Sequence, residues 1–284
     1  NLSFFILVTA MYADQMFYVI VALIGDYRDK KKSKAPFCGK QHRFGVVISA
    51  RNESSVIGQL VDTLKMQKYP KELLEVFVVA DNCTDNTAEI AKEHGAIVYR
   101  RFNKEKVGKG YALDYAFHKI AAEYGESYFD GYFVFDADNL LDEHYVEEMN
   151  KVFDSGYRVV TSYRNSKNFA SSWISASYSI WFLREARFLN YPRMKLHTNC
   201  AISGTGFLVS SKIIEENGGW PYHLLTEDIQ FSAVCAANGW RIGYCDDAIV
   251  YDEQPVTFAQ SWRPRISWAK GLYQVNDHCG PSLA

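Results

Sequence analysis

Short apolar runs alternate with amphipathic stretches in the first half of the chain. Residues 44–50, 74–80 and 132–135 are apolar almost throughout, which is typical of parallel strands buried on both faces. Residues 96–99 predict a further short strand. This alternation predicts an α/β fold with a doubly wound sheet and right-handed crossovers. Ligands bind past the carboxyl ends of the strands in such sheets, so we expect the functional residues there.

Caps and stop residues place helices between these strands. Ser54 or Ser55 is predicted to cap a helix that ends near Gln67, and Thr226 is predicted to cap one that ends at Asn238. Other predicted helices end at residue 93 or cover residues 110–124, 172–189 and 258–275. The remaining predicted strands are residues 158–163, 206–209, 240–245 and 248–251.

The N-terminal residues 2–24 form an almost continuous apolar run, which is long enough to cross a bilayer. Asp14 counts against insertion, and an amphipathic core helix or an interfacial helix is the alternative. A basic cluster follows directly and marks the cytoplasmic side of a membrane; it comprises Arg28, Lys30, Lys31, Lys32, Lys34 and Lys40. We predict a transmembrane helix over residues 1–27, a basic juxtamembrane linker over 28–43, and a cytoplasmic remainder.

Composition narrows the classes of function. The formal net charge of −2 over 284 residues gives no indication of a nucleic-acid partner. The six cysteines contain no C-x-x-C pair, which argues against a zinc ribbon and against a disulfide-stapled secreted domain. We expect reduced thiols in a cytosolic domain.

Two carboxylates follow the predicted strand at residues 132–135. Asp136 and Asp138 are two positions apart, so in extended chain they point to the same side. Paired carboxylates suit Mg²⁺ or Mn²⁺, and such an ion can bind a diphosphate and offset charge on a leaving group. A short acidic turn after a strand is the alternative, since such turns are common.

Polar residues also end the first two strands. Arg51, Asn52 and Glu53 follow the first strand and Asp81 follows the second, where carboxylate and amide groups suit recognition of a base and a ribose. Turn and cap chemistry is the alternative. Lys109, between two glycines, adds a charge for a phosphate, although the spacing of a P-loop is absent. The absence of G-x-G-x-x-G after the first strand argues against the alternative that the chain is a Rossmann dehydrogenase or a nucleotidyltransferase.

Thr226, Glu227 and Asp228 open a predicted helix. A capping threonine and two acids in the first turn stabilise a helix whatever its function. The functional alternative is that Asp228 removes a proton from an acceptor hydroxyl.

The ordered succession SARNES, VADNCTDNT, GKGYAL, FDADN, SGTGF, TED and WAKG resembles the family 2 glycosyltransferases of the GT-A fold over about residues 44–275. It is especially similar to membrane enzymes of the hyaluronan, chitin-oligosaccharide, poly-N-acetylglucosamine and cellulose synthase type. The resemblance implies a Rossmann-like mixed sheet flanked by helices. It also implies an inverting transfer of a sugar from a nucleotide diphosphate, with UDP expected, to an acceptor hydroxyl.

The resemblance assigns roles to individual residues. Asp228 is the expected catalytic base, and Asp136 and Asp138 are the expected ligands of Mg²⁺ or Mn²⁺. Nucleotide-binding residues are expected to be Ala50, Arg51, Asn52, Glu53, Asp81, Lys109, Asp136, Ala137 and Asp138, and acceptor-binding residues Gly204, Thr205, Glu227 and Trp268. The expected partners are a UDP-sugar, a glycan or lipid-linked acceptor and the cell membrane, with no nucleic acid and with the catalytic domain in the cytoplasm. We place the GT-A catalytic domain at residues 44–256.

The C-terminal segment, residues 257–284, is predicted to be an amphipathic interface helix with a Trp/Arg motif. It departs from the family pattern Q-x-x-R-W, because Pro264 and Ser267 stand where Gln and Arg are expected before Trp268. Arg263 and Arg265 are the candidates for holding the diphosphate instead. The alternative function is therefore a catalytically impaired homologue that binds nucleotide or glycan without efficient transfer.

Overall fold

The computed structural model describes residues 2–30 and 37–283, and its centre is a mixed sheet. The strands are β1 (Phe44–Ala50), β2 (Leu74–Asp81), β3 (Ile97–Arg101), β4 (Gly131–Asp136), β5 (Leu140–Leu141), β6 (Val159–Ser166), β7 (Phe207–Ser210) and β8 (Ile242–Asp252). Their order across the sheet is β3-β2-β1-β4-β7-β6-β8-β5. β1 to β4 are mutually parallel, whereas β7 runs antiparallel to both β4 and β6. The predicted α/β fold with a mixed sheet is confirmed.

Helices cover both faces of this sheet. They are α1 (Leu2–Met11), α2 (Ala13–Lys30), α3 (Ile57–Lys65), α4 (Thr87–Glu93), α5 (Lys109–Tyr124), α6 (Tyr145–Asp154), α7 (Trp173–Glu185), α8 (Tyr191–Lys195), α9 (Ser211–Glu216), α10 (Glu227–Ala237) and α11 (Phe258–Leu283). Successive residues of a strand point to opposite faces. Val47 therefore packs in a core with residues of α5, and Ile48 packs in a second core with residues of α3 and α6.

Two predicted boundaries differ in the second half. The strands predicted at residues 240–245 and 248–251 are one strand, β8, which pairs with β6 through an irregularity after Ser162. The helix predicted over residues 172–189 ends as α7 at Glu185 and continues as a π-helical segment, Ala186–Asn190. Single π-helical turns inside helices often mark functional sites.

The cap predicted at Ser54 or Ser55 is wrong, because Val56 holds the N-cap position of α3, whereas Thr226 holds the predicted N-cap position of α10 but makes no capping hydrogen bond. α3 begins only at Ile57, because the backbone N–H of Ser54 bonds to Asp85 Oδ2 at 3.3 Å and so belongs to the loop before the helix. Thr226 precedes α10, but its side chain caps nothing. It packs against α11 instead, since a Cβ added at Gly271 would lie 2.5 Å from Thr226 Oγ1. Gly271 thus permits the close approach of α11 to the start of α10.

The single transmembrane helix predicted over residues 1–27 is replaced by two helices. Within the described residues no single helix is both long and apolar enough to cross a bilayer. The segments Leu2–Ala10 and Gln15–Lys30, which are bent by 42° relative to each other, together have the length and the apolar composition of a membrane span. α1 is apolar but only 10 residues long, and α2 ends in charged residues. A span needs about 20 apolar residues. Of the basic cluster, Lys31, Lys32 and Lys34 lie outside the described residues.

Candidate active site

The loops after β1 and β2 form one charged network around Asp81. Asp81 is buried, and its two oxygens accept hydrogen bonds from Arg51 Nη2 at 2.8 Å and Arg101 Nη1 at 2.5 Å. Arg101 lies opposite Asp81 in the pairing of β3 with β2. Asn52 adopts a positive φ of 57°, and its Oδ1 accepts the backbone N–H of Thr84 at 2.8 Å. The predicted residues Arg51, Asn52 and Asp81 therefore meet at one edge of the sheet.

Lys109 joins three of the predicted motifs. Its ammonium donates to Asp136 Oδ1 at 2.6 Å and to the carbonyl of Gly204 at 2.7 Å, and it lies 3.8 Å from Glu227 Oε1. Burial lowers the pKa of Lys109, but Asp136 and Glu227 outweigh this and raise the pKa above its usual value. Lys109 is thus a permanent cation between the loop after β4 and the start of α10.

A side chain would be unfavourable at both positions that flank Lys109. Gly108 has a φ of +138°, which side-chain-bearing residues rarely adopt. A Cβ at Gly110 would lie 2.0 Å from the carbonyl oxygen of Tyr222. The glycines therefore let α5 start close enough to the loop before α10 for Lys109 to reach both sides.

Asp136 and Asp138 follow β4 and line a cavity of about 330 Å³. The residues around it are Ser49, Glu53, Asp136, Ala137, Asp138, Arg164, Tyr178, Asp252, Glu253, Gln254, Pro255, Pro264 and Trp268. Ala50, at the end of β1, is buried beside this edge. The cavity lies past the carboxyl ends of β1 and β4, where the fold predicts a ligand.

Acidic groups dominate the floor of this cavity. Burial, together with the charges of Asp252 and Asp136, raises the pKa of Asp138 to about 7. Burial and the charge of Asp136 also raise the pKa of Glu53. A divalent cation would relieve this repulsion, so the donor set fits Mg²⁺ or Mn²⁺, held by Asp136 and Asp138. Three or more His, Cys, Asp or Glu side chains grouped for a metal are not found among the described residues.

Asp252, at the end of β8, was not predicted from the sequence. It accepts hydrogen bonds from Arg164 Nε at 2.9 Å, Asn139 Nδ2 at 3.0 Å and Gln254 Nε2 at 3.0 Å. These contacts fix the Asp252 carboxylate in position next to Asp138. Its position at the carboxyl end of a strand is the same signal that identified Asp81 and could have found it.

Asp228 lies at the start of α10 and contacts the turn before β7. Its Oδ2 accepts the backbone N–H of Gly204 at 2.6 Å, and Gly204 has a φ of +75°. Burial raises the pKa of Asp228, while Lys109 and backbone N–H groups act in the opposite direction. Burial likewise raises the pKa of Glu227 to about 7. A carboxylate with a raised pKa is a better proton acceptor than an exposed one.

The turn that carries Gly204 is fixed from both sides. Thr205, predicted as an acceptor contact, is buried, and its hydroxyl bonds to Asn139 and accepts the backbone N–H of Asp136 at 2.9 Å. Ser203 Oγ donates to Glu185 Oε2 at 3.2 Å. Burial raises the pKa of Glu185. Glu185, the last residue of α7, was missed because it lies in an apolar helix without a motif.

The C-terminal helix α11 brings Trp268 and Pro264 to the cavity. The Trp268 and Tyr178 rings lie 5.8 Å apart. Arg265 Nε donates to Tyr178 Oη at 3.1 Å, whereas Arg263 is exposed and is not among the residues that line the cavity. Of the two diphosphate candidates, only Arg265 contacts a residue of the site. α11 continues through Pro264 as a helix.

Comparison with known proteins finds relatives among glycosyltransferases. The chain is 29% identical over 242 residues to the probable glycosyltransferase YdaM of Bacillus subtilis (82% of this chain, 56% of that one). It is 28% identical to the beta-monoglucosyldiacylglycerol synthase of Nostoc sp. (90% and 53%) and 25% identical to a poly-beta-1,6-N-acetyl-D-glucosamine synthase of Staphylococcus aureus (81% and 54%). The chain therefore spans about half the length of these relatives.

Solved structures support the fold. The mannosyltransferase PcManGT from Pyrobaculum calidifontis, in complex with GDP-Man and Mn²⁺, matches with a TM-score of 0.65 at 20% identity, over 95% of this chain and 74% of that one. TarS 1-349 of S. aureus in complex with UDP matches with a TM-score of 0.54 at 16% identity (74% and 60%). The family profile described as glycosyltransferase like family 2 matches residues 42–271. The chain therefore belongs to the family 2 glycosyltransferases.

Proposed function

We propose that the chain transfers a sugar from a UDP-sugar to an acceptor hydroxyl, with inversion at the anomeric carbon. The observation that carries this proposal is the Lys109 contact set. One buried ammonium bonds Asp136 at 2.6 Å and the Gly204 carbonyl at 2.7 Å, while the N–H of Gly204 bonds Asp228 at 2.6 Å. Asp136, in the candidate diphosphate site, and Asp228, the candidate base, are thus linked through three hydrogen bonds.

The proposed step is a single displacement. Asp228 takes the proton of the acceptor hydroxyl, and the acceptor oxygen forms the new bond to the anomeric carbon. The bond from that carbon to the diphosphate oxygen breaks, and UDP leaves. Inversion follows because the acceptor attacks from the side opposite the leaving group. The hydrogen bond from Gly204 holds the Asp228 carboxylate in one orientation.

Other residues bind and orient the donor. The loop from Ala50 to Glu53 and the buried Asp81 are proposed to contact the base and ribose, and Lys109 to face the diphosphate. Mg²⁺ or Mn²⁺, when held by Asp136 and Asp138, supplies positive charge for the departing diphosphate. The complexes of UDP with TarS and of Mn²⁺ with PcManGT are consistent with these assignments.

Turnover of UDP-sugars tests the donor assignment. With the full chain, we expect one member of a panel of UDP-sugars to be hydrolysed slowly without acceptor and to release UDP, with GDP-mannose as the comparison donor. The altered positions Pro264 and Ser267 favour a second candidate, an impaired homologue, since Pro264 lines the cavity itself. Tight UDP binding without turnover of any nucleotide sugar would support the impaired homologue. A preference for GDP-mannose would overturn the assignment of a UDP-sugar as the donor.

We also propose that the N-terminal helices anchor the chain to the cell membrane with the catalytic part in the cytoplasm. Large apolar side chains of α1 and α2 are exposed in the described residues, among them Leu2, Phe4, Phe5, Met16 and Leu23. The polar side of α2 is attached to the catalytic part instead, where Asp26 bonds Arg187 at 2.8 Å and Asp29 bonds Tyr191 at 2.8 Å. A helix with one apolar exposed side and one docked polar side fits a membrane boundary.

Cysteine labelling checks this orientation. An impermeant thiol reagent applied to intact cells should miss Ser33→Cys, because the basic segment is expected on the cytoplasmic side. Ser3→Cys, near the N-terminal end of α1, is the matched control and should be labelled if α1 and α2 together span the bilayer. Labelling of Ser33→Cys before lysis would reject the orientation.

A further inference from the structure

A second cavity adjoins the site cavity between α7 and α11. This aromatic groove has a volume of about 360 Å³ and is formed by Ser177, Tyr178, Trp181, Arg265 and Trp268. Tyr178 and Trp268 line both cavities, so their rings separate the reaction centre from the groove. A molecule that reaches from one cavity into the other therefore passes these two rings.

The hydroxyl groups of the groove are already engaged. Ser177 Oγ donates to the carbonyl of Trp173 at 2.7 Å. Tyr178 Oη donates to the carbonyl of Ser261 at 3.2 Å and accepts from Arg265 Nε at 3.1 Å. A sugar ring in the groove would bury hydroxyl groups that find few free partners among these side chains, and unsatisfied buried hydroxyl groups weaken binding. A hydrocarbon chain carries no such cost.

The groove opens to solvent at Trp181, which is 58% exposed. Ile180 on α7 and Ile266 on α11 are also exposed, at 56% and 40%. Large exposed apolar side chains on the two helices that form the groove favour a contact with lipid. Because the groove shares Tyr178 and Trp268 with the site cavity, a substrate that enters from a lipid phase can reach the reaction centre.

We propose that the aromatic groove binds the hydrocarbon chain of the acceptor, and hence that the acceptor is a lipid with a free hydroxyl on its headgroup. The headgroup lies in the site cavity, and the chain passes between Tyr178 and Trp268 towards Trp181. This inference rests on the proposed function, because it assigns the acceptor of the same reaction.

A chain-length series tests the proposal. The full chain is assayed with its UDP-sugar donor and with 1-O-alkylglycerols of increasing length, each kept below its micellar concentration. Burial of one methylene is worth about 0.8 kcal/mol, so the KM for the acceptor should fall about fourfold per added methylene until the groove is filled. UDP affinity should stay constant across the series. Turnover that is independent of chain length would overturn the proposal.

Three variants separate a chain from a stacked sugar. Trp181→Ala should flatten the dependence on chain length, whereas Trp181→Leu should retain most of it because leucine restores the apolar surface. Trp262→Ala is the matched control, since Trp262 is 52% exposed on α11 and does not line the groove. A sugar stacked on the ring would lose affinity equally in Trp181→Ala and Trp181→Leu, and that result would also overturn the proposal.

A lipid-binding assay without donor tests the lipid site independently of the proposed sugar transfer. A doxyl-labelled alkylglycerol should quench tryptophan fluorescence in the wild type and less in Trp181→Ala, with no donor present. Quenching that depends on Trp181, combined with no turnover of any nucleotide sugar, would refute the proposed function and support a lipid site. Absence of such quenching would refute the groove as a lipid site even if transfer is observed.

Discussion

Asp228→Asn is expected to lower the rate of sugar transfer by about 10²- to 10⁴-fold, the usual contribution of general-base catalysis. UDP affinity should remain nearly unchanged. Asparagine can still accept the 2.6 Å hydrogen bond from the backbone of Gly204, so the turn keeps its conformation while proton uptake is lost. Steady-state transfer and UDP titration measure the two quantities on the same preparation.

The pH profile adds a second readout to this prediction. Asp228 accepts a proton only when ionised, and burial raises the pKa of Asp228 above the usual value of about 3.9. Transfer should therefore fall as the pH is lowered, and this fall should begin at a higher pH than for an unperturbed aspartate. Asp62→Asn, a carboxylate paired with His94 outside the cavity, is the matched control and should keep both rate and profile. Equal losses of UDP affinity and rate in Asp228→Asn would make Asp228 a structural residue.

Asp138→Asn, or removal of divalent ions by a chelator, is expected to reduce transfer by at least about 10²- to 10³-fold. A bound divalent ion stabilises charge in the transition state by several kcal/mol, and each 1.36 kcal/mol corresponds to tenfold in rate. Mn²⁺ or Mg²⁺ should restore the chelated wild type but not the variant. Transfer in the presence of excess chelator would defeat the assignment.

The fold of Asp138→Asn should survive. The pKa of Asp138 is raised to about 7, so without a metal about half of these carboxyls are neutral at pH 7, and asparagine has nearly the same shape. The melting temperature of the metal-free variant should therefore be close to that of the metal-free wild type. A large drop in melting temperature would mean that Asp138 maintains the fold.

Local sequence pattern was sufficient where a strand is followed directly by a polar residue. Asp81 and Asp136 were placed at the correct edge because β2 and β4 are buried apolar runs with clear ends. Arg101 was not predicted, because its contact with Asp81 depends on the pairing of β3 with β2. Asp252 ends β8, so the same pattern could have indicated it, but its position in the site depends on the pairing of β8 with β6.

The caps show a different limit. Ser54 and Thr226 have the residue types of helix caps, but tertiary contacts occupy both positions. The backbone of Ser54 is tied to the loop after β2, and Thr226 lies under Gly271 of α11. Helix α11 is distant in sequence from Thr226, so the propensity of threonine for helix caps could not predict this contact. The resemblance to a family suggested the roles of the sequence motifs, whereas the strand order determines which motifs lie close together.

The surplus of acidic groups in the cavity also constrains the order in which ligands arrive. Glu53, Asp136, Asp138 and Asp252 face Arg164 there, while Lys109 is already bonded to Asp136. A free diphosphate carries negative charge and would be repelled by these carboxylates. A donor that enters as a chelate with its divalent ion meets an attractive potential instead. Metal dependence is therefore expected first in the association rate of the donor and only afterwards in the chemical step.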